Sequence, residues 1–160
     1  MRLTLPIFAL VIGGVGCGKN SVGPGLPACS RPPTAAGCTA TWTGTVAGSN
    51  SCTQLSWGTA TGWSFTLDGP NANQLTVGAS LPAAPAAGQS FTMDQLGGFP
   101  LIQLNVGTDW WGATPTIGGE MLLQVDQVVP GSAYIHGSLA GSLVKGSGGS
   151  DQGVQICITF

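Results

Sequence analysis

Residues 152–160 read Gln-Gly-Val-Gln-Ile-Cys-Ile-Thr-Phe. Val154, Ile156, Ile158 and Phe160 share one parity, and Gln155, Cys157 and Thr159 share the other. Successive side chains of an extended chain point to opposite faces, so this pattern predicts a strand with one buried and one wet face. The same period recurs upstream. Trp42, Gly44 and Val46 alternate with Thr41, Thr43 and Thr45. Leu55 and Trp57 alternate with Gln54 and Ser56, and Trp63, Phe65 and Leu67 with Ser64 and Thr66. Further runs carry Leu75 and Val77, Phe91 and Met93, Ile102 to Val106, Met121 to Val125, and Ile135 to Leu143. Turn clusters such as Asp68-Gly69-Pro70-Asn71 and Pro130-Gly131-Ser132 separate them. No window longer than about ten residues shows helical spacing. The reading is all-β: about nine half-buried strands over 38–160, forming an antiparallel β-sandwich of Ig-like or jelly-roll type. A small closed β-barrel is the alternative, since it buries one face of each strand equally well.

Composition narrows the function classes. The chain has 160 residues, only 4 Lys+Arg and 6 Asp+Glu, and a single His. Nucleic acid is excluded as a partner, because its phosphates demand a Lys/Arg patch. The length suits one domain with its own core. No apolar run reaches the roughly 20 residues of a spanning helix.

The first residues read as an address. Arg2 is followed by an apolar run from Leu3 to Val15, and Gly14-Val15-Gly16 places small or compact residues before Cys17. This is signal-peptide organisation over 1–16. Val15-Gly16-Cys17 resembles the lipobox of bacterial lipoproteins, with Gly14 standing where Leu is usual. The resemblance implies that Cys17 becomes the lipidated N-terminus after cleavage and that its acyl chains hold the protein to a membrane. Each buried methylene contributes about 0.8 kcal/mol to such an anchor. Gly18 after the cysteine implies export to the outer membrane in a host with two membranes; plain secretion is the alternative. Residues 17–37, rich in Gly, Pro and Ser, read as a flexible tether. Gly13 to Asn20 nearly spells a phosphate-binding loop, but Asn20 lacks the hydroxyl that Mg²⁺ needs and the Gly/Pro residues that follow do not open a helix.

With Cys17 assigned to lipid, Cys29, Cys38, Cys52 and Cys157 remain. An even number in an exported chain predicts two disulfides. Counting parity from Leu55 and Trp57 places Cys52 outward, and Cys157 is outward too. The expected pairs are therefore Cys52–Cys157 and Cys29–Cys38. Zinc spacing is absent, and neither a metal nor another cofactor is expected.

Catalytic constellations are missing as well. His136 sits mid-strand without a nucleophile elbow. The spacing of Asp68, Asp94, Asp109, Glu120, Asp126 and Asp151 places no two carboxylates together. Trp110 and Trp111 are adjacent in a strand over 109–113, so one should be buried and the other at least partly exposed, with Trp111 the inward one. An exposed Trp beside Asp109, Tyr134 or His136 has the chemistry to stack on a sugar ring. The chain as a whole resembles small Gly- and Thr-rich bacterial lipoproteins with a β domain behind a tether. That resemblance implies a non-enzymatic envelope protein, structural or interaction-mediating, whose partners are the membrane, through its lipid, and an envelope protein or glycan. The alternative is a carbohydrate- or ligand-binding module using Trp110, Trp111, Tyr134 and His136.

Overall fold

The computed structural model describes residues 25–31, 37–59, 62–69, 75–81, 83–131, 134–146 and 152–160; the expected signal peptide, Cys17 and the phosphate-loop look-alike lie outside them. The protein is all-β, as the alternation predicts. Its strands are β1 (Cys38–Gly44), β2 (Gly48–Thr59), β3 (Gly62–Asp68), β4 (Leu75–Leu81), β5 (Ser90–Thr92), β6 (Gly97–Val106), β7 (Asp109–Ala113), β8 (Glu120–Val128), β9 (Ile135–Lys145) and β10 (Gln152–Thr159).

The sandwich expectation is corrected to its alternative. The strands form one antiparallel sheet in the order β10-β1-β2-β3-β4-β6-β7-β9-β8-β5, and β10 also pairs with β9. Eight strands therefore close into a ring, and β8 and β5 extend from it. The two architectures share the same period-two pattern, and they differ in where the edge strands go. Here β10 is hydrogen-bonded on both sides, Ile156 facing Trp42 of β1 and Gly141 of β9. Closure leaves no free edge in the ring for another chain to pair with.

The short seam at β7 explains the branch. β7 meets β9 only at Trp111–Lys145 and Gly112–Val144. The rest of that edge of β9 is taken by β8, from Glu120–Ser142 to Val128–Ile135. Asp126 is the extra residue of a bulge there, since Val125 faces Gly137 and Gln127 faces His136.

The inner face is a packed core. Ala40, Leu67, Val77, Ile102, Leu104, Leu139, Leu143, Ile156 and Ile158 are fully buried in one cluster. Eight strands give an interior about wide enough for side chains to fill. Close approach at Gly141 shows how full it is. A Cβ there would lie 2.6 Å from Ile102 Cδ1 and 2.9 Å from Ile156 Cγ2. The outer face of β1 and β2 is polar, with Thr39, Thr41, Thr43, Ser49, Ser51 and Thr53 exposed. This polarity is the reverse of a barrel whose outside faces lipid.

The four described cysteines form two disulfides, but with different partners from those expected. Cys38 and Cys52 face each other directly across β1 and β2 and are bonded. Cys29 is bonded to Cys157, with Cα atoms 5.4 Å apart. Cys157 does point outward. Cys52 does not, because its register opposite Cys38 puts it on the face of Ala40 and Trp42, against the core. The side chains of Leu55 and Trp57, from which its parity was counted, lie outside the described residues.

The Cys29 bridge also fixes part of the stretch read as a tether. Cys29 and Leu26 pack with Leu122, Ala140 and Cys157 in a small outer cluster on β8, β9 and β10. Ser138 Oγ lies 3.2 Å from both the Cys29 carbonyl oxygen and Gln124 Oε1. Gln155 Nε2 donates to the Gly25 carbonyl at 3.0 Å. Ser138 and Ala140 are buried although they occupy the outward parity of β9, because this segment covers them.

Candidate functional site at one mouth of the barrel

The residues singled out for ligand binding fall at opposite ends of the barrel. Tyr134 and His136 stand at the start of β9, whereas Asp109, Trp110 and Trp111 meet the far end of β9 around Lys145. A strand rises about 3.3 Å per residue, so the two groups are separated by roughly 30 Å. A shared site is thereby corrected to two separate places.

At the far end, the tryptophans divide as adjacency requires. Trp111 points inward and is 3% exposed. Trp110 points outward and is half-buried, with its indole lying over Gly146. Lys145 Nζ is 3.0 Å from Asp109 Oδ2 and 5.8 Å from the centre of the Trp111 ring. Most of the Trp110 face is thus spent on packing, and its two charged neighbours are engaged with each other.

The opposite mouth has a cavity of about 270 Å³. The start of β1 and the middle of β2 supply Cys38, Cys52, Thr53 and Gln54, and the entry to β9 supplies Tyr134 and His136. Phe160, whose backbone exchanges hydrogen bonds with Gly137, closes the floor. The Cys38–Cys52 bridge ties two of these walls together.

Three features give this cavity binding chemistry. Tyr134 is 46% exposed, although aromatic rings are usually buried. His136 Nδ1 is buried without a hydrogen-bond partner among the described residues. Gln54 Nε2 is in the same state. Buried polar atoms are normally satisfied, because each unpaired one costs free energy. Both residues line the cavity, and each carries a nitrogen, closed off from solvent, that no group among the described residues satisfies. None of the described residues lining it is Asp, Glu, Lys or Arg.

The alternation around Tyr134 and His136 was legible in the sequence; the participation of Gln54 was not. Gln54 lies far from both in the chain, and only the barrel brings it to them. The alternation with Leu55 and Trp57 puts Gln54 on the outward parity; the register opposite Leu67 puts it on the inner one. Among the described residues, no three His, Cys, Asp or Glu side chains converge as metal ligands. Comparison with protein-family models, curated proteins and solved structures returned no match.

Proposed function

We propose that this protein is a non-enzymatic, lipid-anchored binding domain of the cell envelope, and that its barrel mouth takes a neutral hydroxylated ring such as a sugar residue. The observation carrying the reading is the exposed Tyr134 ring beside a cavity whose described lining is neutral and includes His136 and Gln54. The face of an aromatic ring accepts the C–H face of a sugar. A Gln amide donates, and imidazole Nδ1 donates or accepts according to tautomer. Hydroxyl groups do both, so they match either state. A neutral lining suits a neutral ligand. The volume of about 270 Å³ suits one ring, being just below the roughly 300 Å³ at which pockets for drug-sized molecules begin.

Two further features support the envelope setting. Disulfides persist in exported proteins, and this fold has two. The chain between Cys17 and the barrel is pinned at Cys29, so a lipid on Cys17 would hold the domain by its outer wall next to β10. The outer membrane is the destination implied by Gly18.

Calorimetric titration with a panel of neutral monosaccharides tests the reading. Binding with a Kd of about 1 mM, or some −4 kcal/mol, is expected for a shallow site of this size. Tyr134→Ala should weaken it about tenfold, or some 1.4 kcal/mol, and Trp110→Ala should leave it unchanged. Saturation that depends on Trp110 and not on Tyr134 would move the site to the other end. A complete lack of binding would leave only the structural or protein-interaction role.

A further inference from the structure

The outer wall of the barrel changes character around the ring. On β1 and β2 it is exposed and hydroxylated, whereas on β6 and β7 it carries large apolar side chains. Phe99 is 60% exposed and Ile117 38%; with Tyr134 they are the large hydrophobic residues so placed among the described ones. Phe99 and the half-buried Leu101 take the outward parity of β6, since Pro100 and Ile102 are buried. Trp110 and Gly112 take the outward parity of β7, and Ile117 folds back over Gly112 from the turn that follows. A Cβ on Gly112 would lie 3.0 Å from Ile117 Cδ1 and 3.1 Å from Trp110 Cζ3. Gln103 stands opposite Gly112, and Phe99 is about 13 Å along β6 from it, on the same face. The charged groups at the margin, Lys145 and Asp109, are 3.0 Å apart and neutralise each other. The N-terminal segment comes to the same place. Gly25 lies against Glu120, the first residue of β8, and Leu26 lines a cavity together with Pro115 of the β7–β8 turn. Fully extended, the chain from Cys17 to Gly25 spans at most about 28 Å.

We infer that the patch of Phe99, Trp110 and Ile117 is a membrane-contact surface, which rests on a zwitterionic phospholipid bilayer while a lipid on Cys17 holds the chain there. This rests on the lipid-anchor part of the function proposed above. The Cys29–Cys157 bridge fixes the point from which the tether leaves, and that point adjoins the patch. A short tether keeps its two ends at a high effective concentration, so a contact too weak to hold a free protein is enough to orient a tethered one. Binding at the interface scales with the apolar area laid into it, and an indole with one polar edge suits the headgroup level. Asp94 and Glu120 lie beside the same turn, so the surface favours zwitterionic over anionic lipid. The hydroxylated wall of β1 and β2 stays in water. The mouth at Tyr134, at the other end of β9 from Lys145, stays clear of the bilayer and open to its ligand.

Amide line broadening tests it, with the isotope-labelled full chain anchored in phosphatidylcholine nanodiscs that carry a spin label on the lipid headgroup. Broadening should centre on Phe99, Trp110–Gly112 and Thr116–Ile117, and should spare Thr39–Thr43 and Tyr134–His136. Trp110→Gln combined with Ile117→Gln should about halve the broadening at Phe99 and Leu101, while fatty-acid labelling of Cys17 and recovery in the membrane fraction stay unchanged. If the purified chain carries no acyl group, its Cys17 thiol is coupled to a maleimide lipid in the same nanodiscs, since the other four cysteines are bonded. The same pattern is then expected, which separates the contact surface from natural lipidation. Broadening centred on β1 and β2, broadening spread evenly over the barrel, or contact that appears only with anionic lipid would overturn the inference. So would a pattern unaltered in the double variant. The map on the unmodified protein decides the matter whether or not the variant folds.

Discussion

Truncating Trp111 and Trp110 separately should give very different losses of stability, although the two residues are adjacent and identical. Trp111 is 3% exposed and belongs to the main core. An indole buries about 150–250 Å², which at about 25 cal/mol per Å² corresponds to roughly 4–6 kcal/mol of transfer free energy. Trp→Ala substitutions in cores cost about 3–5 kcal/mol, and Trp111→Ala should fall there. Trp110 keeps part of its ring in solvent, so Trp110→Ala should cost about 1–2 kcal/mol. The gap of about 1–4 kcal/mol corresponds to roughly 0.5–2 M in the urea midpoint for a domain of this size. Gly146 supplies an internal check. A Cβ there would lie 1.8 Å from Trp110 Cε2, so Gly146→Ala must expel the ring. Gly146→Ala should therefore cost about as much as Trp110→Ala alone and little more in its presence, a non-additivity of about 1–2 kcal/mol. Urea unfolding followed by circular dichroism measures the unmodified protein, the three single variants and the double variant. Equal costs at 110 and 111, or strict additivity of Gly146→Ala with Trp110→Ala, would refute the assignment of the two rings to opposite faces.

Non-reducing peptide mapping should recover Cys29 joined to Cys157 and Cys38 joined to Cys52. Replacing Cys38 and Cys52 together by Ala should cost on the order of 3 kcal/mol, the chain-entropy value for a separation of 14 residues. Gly141→Val should destabilise by about 1–3 kcal/mol, because its branches meet Ile102 and Ile156; Ile102→Ala should recover part of that loss, and a neutral Gly141→Val would mean that the lumen is not filled there. Cys17→Ala should abolish labelling by a fatty-acid analogue and release the protein from the membrane fraction, and unchanged labelling would remove the anchor from the account.

Much of the fold is legible in the alternation because burial dictates it. Every inward residue counted in the run 154–160 is buried, and Ile102, Leu104, Met121, Leu123, Ile135 and Leu139 follow the same rule. What alternation does not encode is whether the last strand ends at a sheet edge or returns to the first. That depends on strand tilt and stagger around the whole ring. The cysteine pairing failed for a related reason. A parity taken from Leu55 and Trp57 alone does not fix the strand's register, and a change of one in register reverses every face. The direct opposition of Cys38 and Cys52 comes from the β1–β2 hairpin alone and was within reach of a turn-based count from Gly44 to Gly48. The candidate binding residues are half legible. An aromatic and a His on one parity at the start of β9 stand out, whereas the place of Gln54 beside them depends on contacts between strands distant in the chain.

The central claim, that the barrel mouth and not the tryptophan end receives a neutral hydroxylated ligand, is tested most directly by amide chemical-shift mapping of the isotope-labelled protein during titration with monosaccharides. The account predicts saturable shifts confined to Gly37–Cys38, Cys52–Gln54 and Tyr134–His136. Shifts centred on Asp109–Trp111 and Lys145, or no saturable shift with any sugar in the panel, would contradict it.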